Sequence, residues 1–146
     1  MAGMTQPRFV SVRVITDHVS RLAALYEVAL GTAAVWSTPD FAELRTPVGT
    51  LALGSTRTVG LFAPGSARPA ANASAIVEFL VNDVDAEHVR LRDALPAVGG
   101  EFLNEPTTMP WGNRSLLVRD PDGGLVNLFT PVTAEARARA GLPSEG

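Results

Sequence analysis

Two stretches of the chain repeat in the same order, and that duplication restricts the folds open to it. Val10, Val12, Val14 and Thr16 overlay Val77, Phe79, Val81 and Asp83, 67 residues further on (10 to 77). Downstream, Thr46-Pro47-Val48-Gly49-Thr50-Leu51 shares its x-Pro-x-Gly-x-Leu spacing with Asp120-Pro121-Asp122-Gly123-Gly124-Leu125, 74 residues on (47 to 121). The second copy is strong turn chemistry, because Pro fixes φ, Asp bonds its own backbone and Gly takes positive φ. Ser115–Arg119 and Leu125–Thr130 on either side of it therefore read as a β-hairpin. Two matches in the same order point to one module used twice.

Each copy reads β-α-β-β-β. Alternation of Val10, Val12 and Val14 with Ser11, Arg13 and Ile15 is the period of a strand with one buried face. Thr16 or Asp17 then caps a helix whose apolar residues Leu22, Leu25, Tyr26, Ala29 and Leu30 recur at three and four residue steps before Gly31. Ala33–Ser37, Phe41–Arg45 and Leu51–Leu53 follow as short strands, with Val59–Ala63 as one further candidate. The Pro-rich, small-residue stretch 64–74 reads as a linker between modules 1–63 and 75–131. In the second module Val77, Phe79 and Val81 alternate, Asp83 caps a helix through Val89 and Leu91 to about Leu95, and Gly99-Gly100 ends it. Glu101–Asn104 and the hairpin complete the copy, leaving a 132–146 tail able to form an exposed helix.

The totals suit one compact α+β folding unit. The chain has 146 residues, 46% hydrophobic and 18% charged, with a net charge of -3. No stripe of Lys or Arg supplies the phosphate attraction that nucleic-acid binding needs, so nucleic acid is not an expected partner. Apolar runs fall far short of the roughly 20 residues of a membrane span. The first residues lack the charged and apolar regions of a signal peptide, which makes a cytoplasmic location the expectation. With no cysteine there are no disulfides, thiolate ligands or cysteine nucleophile. Ser/His/Asp catalysis finds no histidine suitably placed, and the paired glycines lack the spacing and Lys of a phosphate loop.

The opening strand and helix ending at Gly31, the Val77–Ala86 run, the Pro110-Trp111-Gly112-Asn113-Arg114 segment and the Asp-Pro-Asp-Gly hairpin together resemble the vicinal oxygen chelate superfamily. That superfamily includes glyoxalase I, extradiol dioxygenases, fosfomycin resistance enzymes and bleomycin-binding proteins. The resemblance spans about Phe9 to Pro131 and implies two modules whose curled mixed sheets surround a shared cavity, commonly within a homodimer. In metal-dependent members it implies a ligand at the start of each opening strand and another in each last strand. Carried over, those positions hold Phe9 (Val10 or Ser11 on a register slip), Ile76, Leu53 and Asn127, the last standing where the pattern has Glu. Hydrocarbons do not coordinate and a lone amide anchors a divalent ion poorly, so neither a metal nor another cofactor is expected. The two histidines, His18 and His88, both fall on expected helices, outside a strand-built cavity.

Other residues are better placed for function. If Val10, Val12 and Val14 face the helices, then Phe9, Ser11 and Arg13 face the cavity, as do Ile76, Glu78 and Leu80. Arg13 reads as an anion or carbonyl clamp and Glu78 as a hydrogen-bond acceptor or general base; a structural salt bridge is the plainer alternative. Trp36, Trp111 and Phe129 offer a stacking wall for a flat ligand, with core packing as the plainer alternative. Arg114 and Asn127 offer hydrogen bonds to a polar ligand or to local backbone. The reading favoured is a metal-free binder of a small, partly apolar organic molecule such as an aromatic natural product or antibiotic. An enzyme of the same superfamily, acting as a lyase, isomerase or dioxygenase through Glu78 or an atypical metal site, and a module filled by its own side chains are the alternatives.

Overall fold

A computed structural model describes residues 6–144 and shows a mixed α+β chain with two compact units, Met1–Ala70 and Ala71–Gly146. The first unit contains β1 (Ser11–Ile15), α1 (Val19–Leu30), β2 (Val35–Thr38), β3 (Phe41–Thr46), β4 (Gly49–Gly54) and α2 (Arg57–Gly60). Its curled sheet has the order β1-β4-β3-β2, with β1 parallel to β4 and the other neighbours antiparallel. Parallel neighbours need a long crossover, and α1 supplies it. Leu22, Leu25, Tyr26 and Ala29 of α1 are buried, as are Ala42, Leu44, Leu51 and Leu53 of the sheet. Each buried Leu contributes about 1.5–3 kcal/mol, so this face holds the unit together.

The second unit repeats the plan with β5 (Ile76–Leu80), α3 (Val84–Ala97), β6 (Glu101–Phe102), β7 (Thr107–Thr108), β8 (Asn113–Arg119), β9 (Leu125–Pro131) and α4 (Ala134–Arg139). The order is β5-β9-β8-β6, with β7 also paired to β8 and β5 parallel to β9. Asp83 caps α3 by accepting from the Ala86 N–H at 3.1 Å. Leu91 and Leu95 on α3 and Leu116, Val118, Val126 and Leu128 on the sheet are buried.

Several expectations are corrected. Residues 59–63 form no strand: Ser55 accepts from the Arg57 N–H and, through its carbonyl, from Thr58, which turns the chain into the short helix α2. The first residue at the start of α1 is His18, without a side-chain cap; Thr16, fully buried, instead accepts from the His18 N–H at 3.1 Å. The strand expected over Glu101–Asn104 stops at Phe102, because the Asn104 side chain bonds Ser115 and Leu117 of β8 in place of its backbone.

Register also resets the repeat. Val14 pairs with Leu53 and Phe79 with Leu128, so equivalent opening-strand positions are 65 apart (14 to 79), two fewer than the sequence overlay. A slip of two leaves every side chain on its face, whereas a slip of one would have exchanged the faces. The hairpin turns differ as well. Thr46 pairs directly with Gly49 and its hydroxyl accepts from the Gly49 N–H at 3.1 Å, while Arg119 pairs with Leu125 across a five-residue turn, 120–124. In that longer turn the buried Asp120 carboxylate accepts from the N–H groups of Asp122 and Gly124, each at 2.9 Å.

Gly112 joins β7 and β8 with φ of 93° and sits against α4: a Cβ there would lie 2.1 Å from Thr133 Oγ1 and 2.9 Å from Ala136 Cβ. Gly123 has a similar φ, 87°, with nothing near its missing Cβ. Gly112→Ala is expected to cost about 2–4 kcal/mol and Gly123→Ala only about 1 kcal/mol in urea unfolding, the difference being the collision with α4. Equal losses would show that α4 does not pack there in solution.

Candidate functional site

Pairing register sorts the sheet residues by face, since directly paired residues point to the same side. In the first sheet Val12, Val14, Leu51, Leu53, Ala42 and Trp36 share the α1 side, and Arg13, Ala52 and Glu43 share the opposite side. The Arg13 guanidinium carbon lies 5.9 Å from the centre of the Phe62 ring, within cation–π range. Ser11 is exposed on the same side as Arg13, and Phe9, 80% exposed, precedes the strand. Glu43 is held by Arg45 at 2.8 Å.

In the second sheet Glu78 and Asn127 are direct neighbours on the side away from α3. The Asn127 amide Nδ2 donates to Glu78 Oε2 at 2.9 Å, and Asn127 Oδ1 is buried without a hydrogen-bond partner. The carboxylate fixes which end of the amide faces it, because the oxygen end would be repelled. Leu117 pairs with Asn127 and Phe129 with Leu80, so the polar pair is set in apolar surroundings, with Ile76 and Leu80 roughly half exposed. Arg114 belongs elsewhere. Its register partner is Thr130, which bonds the start of α3, and the Arg114 guanidinium grips Asp85 in the first turn of that helix through two bonds of 2.8 and 3.0 Å. Trp111 is exposed in the turn before β8, and its carbonyl accepts from Arg139 of α4. Within the second unit Glu78, Asn127 and Phe129 are thus brought together, while Arg114 and Trp111 are not part of that group.

A cleft of about 890 Å³ opens at one edge of the first sheet, walled by residues 16–20, 36–40 and 55–57. Trp36 lies in its wall rather than beside Arg13, and His18 lines it too. Neither position is visible in strand alternation: Trp36 reaches the cleft because its strand ends there, with a register shift between Trp36 and Thr38. His88 is held on α3 of the second unit, edge-on to Phe102 with ring centres 5.0 Å apart.

A family model for the Glyoxalase/Bleomycin resistance protein/Dioxygenase superfamily matches residues 8–128. The chain belongs to that superfamily. Among similar solved structures is a glyoxalase/bleomycin resistance protein/dioxygenase from Nocardioides, 21% identical, with a TM-score of 0.66 over 89% of this chain and 87% of that one. A glyoxalase-related enzyme from Fulvimarina pelagi is 21% identical, with a TM-score of 0.69 over 87% and 88%. A glyoxalase/bleomycin resistance protein/dioxygenase family enzyme from Burkholderia phytofirmans PsJN is 16% identical, with a TM-score of 0.72 over 86% and 100%. At these identities the structures share the fold with this chain. No curated protein matches it significantly.

The residues do not fit the divalent ion that superfamily membership implies. Leu53, a ligand position by sequence overlay, is fully buried on the α1 side; the register counterpart of Asn127 in the first sheet is Ala52, beside Arg13. A methyl group and a cation cannot ligate a metal, which leaves Glu78 and the Asn127 amide oxygen as the two donors at these four positions. Among the described residues no group of three or more His, Cys, Asp or Glu could hold one.

The hydrogen bonds from Arg114 hold the Asp85 carboxyl below its ordinary value, with partial burial opposing and the positive charges of Arg114 and His88 assisting. The sign is that of a depressed acid: the pair's contribution is present above the ordinary carboxylate range and is lost as pH falls through the folded value. Asp85 is more than half exposed, so that contribution is small. In Arg114→Met the NMR titration midpoint of Asp85 is expected to rise toward the ordinary value, whereas an unmoved midpoint would mean that the pair does not persist in solution.

Proposed function

We propose that this superfamily member binds a small, partly apolar organic molecule, of the class of aromatic natural products or antibiotics, on the face of the second sheet that α3 does not cover, without a metal ion. The observation that carries this reading is the Glu78–Asn127 pair, an oriented polar anchor flanked on its face by Leu80, Leu117 and Phe129. Such a combination orients a ligand through a few polar bonds while Phe129, Leu80 and Leu117 supply contact area. The carboxylate takes a hydroxyl or amine of the ligand, and the Asn127 amide holds that carboxylate in place.

A second reading has one supporting observation of its own. Asn127 engages only Oε2 of Glu78, which leaves Oε1 as a proton acceptor held at a fixed angle. A carboxylate so oriented suits proton abstraction in an isomerase or epimerase.

A thermal-shift screen of flat aromatic metabolites separates the two. A ligand at about 100 times its Kd stabilises by about 2.7 kcal/mol, a rise of about 5–11 °C in Tm for a chain of this size. The binding reading expects Glu78→Gln and Phe129→Ala each to abolish that rise, with no product formed from the hit. If Glu78→Gln keeps the shift and abolishes turnover of the hit, the enzyme reading replaces it; a shift unchanged in both variants defeats both readings.

A further inference from the structure

The cleft in the first unit belongs to neither reading above, and its position follows from topology. β1 and β4 run parallel, so both end at the same edge of the sheet; β2 runs with them and β3 begins there. The chain closes that edge through Thr16 N–H to the Gly54 carbonyl and Ser55 N–H to the Asp40 carbonyl, both at 2.9 Å, and the cleft lies beyond these bonds. The corresponding edge of the second sheet is covered. There α4 packs on Gly112, Val132 N–H donates to the Gly112 carbonyl, and Arg139 donates to the Trp111 carbonyl. One module has its edge closed by its own tail; in the other the same edge is left as a cleft of about 890 Å³, within the ~300–1,000 Å³ typical of small-molecule sites.

Its lining selects among ligands. Thr38, exposed, and Ser55, half-buried, spend their hydroxyl oxygens on the N–H groups of Asp40 and Arg57, at 3.1 and 3.2 Å. A hydroxyl whose oxygen is engaged in this way still has its hydrogen to donate. Arg57 is held by Asp40 at 3.2 Å, while the Asp17 carboxylate is exposed, so the lining carries a net negative charge and does not favour an anion. Trp36, 40% exposed, presents the one large aromatic surface of the cleft. Several hydroxyl donors, one carboxylate acceptor and an indole face match a ring that carries hydroxyls around its rim and C–H groups on its faces.

We propose that this cleft is a carbohydrate site in which a pyranose ring, free or as the sugar of a glycosylated small molecule, stacks on Trp36, gives hydroxyl hydrogen bonds to Asp17 and accepts them from the Ser and Thr hydroxyls. The site uses neither Glu78 nor Asn127, so it stands or falls separately from the sheet-face reading.

The test is amide and indole NMR on the full chain, titrated with cellobiose, N-acetylglucosamine, the aryl glucoside salicin and its aglycone salicyl alcohol. Concentrations of about 10 mM exceed the Kd of order 1 mM expected for weak sugar binding. Saturable shifts of the Trp36 indole N–H, assigned by its loss in Trp36→Phe, and of amides in 16–20 and 55–57 are expected with at least one sugar. Asp17→Asn, an exposed and nearly isosteric change, is expected to weaken the interaction about tenfold, the loss of a charge-assisted hydrogen bond. Salicin binding more tightly than cellobiose would identify a glycosylated small molecule as the source, and the reverse order a free saccharide. The proposal is overturned if no sugar gives saturable shifts, if salicyl alcohol matches salicin, or if Asp17→Asn leaves the affinity unchanged.

Discussion

Everything else in this protein depends on the parallel pairing of the first and last strand of each module. Two parallel neighbours cannot be joined by a tight turn, so the chain must cross over, and the crossover helix covers one face of each sheet. Once α1 and α3 occupy those faces, Leu51 and Leu53 in one sheet and Val126 and Leu128 in the other are committed to the core. The alternate residues are then left on the opposite face, where Arg13 and Glu78 stand at equivalent register positions.

The two modules use the same frame for different chemistry. Beside Arg13 the last strand supplies Ala52, and the guanidinium reaches past it to Phe62; beside Glu78 it supplies Asn127, which ties the carboxylate down. These four positions hold one cation, one methyl group, one carboxylate and one amide. Only the carboxylate and the amide offer oxygen donors; the cation and the methyl group offer none to a divalent ion. The sheet edges diverge too, one sealed by α4 and the other left as a cleft. Duplication thus supplied two scaffolds, and short differences in side chain and tail gave each its own surface.

Arg114 illustrates how close a site residue and a structural one lie in sequence. It is one strand position from Ser115, which shares the Phe129 face, and that single step sends it to the other side, where it fastens β8 to the first turn of α3 through Asp85. Among the described residues no helix is long and apolar enough to cross a membrane, in keeping with the short apolar stretches that build these sheets.

The order of elements, the β-α-β-β-β repeat and the assignment of Val12, Val14, Glu78 and Asn127 to faces were legible in the sequence by itself. Strand alternation is a local property, and the opening-strand overlay, wrong by two residues, still preserves it; the last-strand overlay, wrong by one, set the buried Leu53 on Asn127. Three features were decided by tertiary structure. Ser55 and Thr58 turn an apolar run into α2 through bonds that hydropathy does not register. The register shift near Trp36 and the approach of the 16–20 and 55–57 segments create a cleft from residues distant in the chain. The partners of Arg114 and Asn127 were settled last, because a charged or amide side chain takes its role from the neighbours that pairing register brings within 3 Å, and register is fixed only when the helix face is buried.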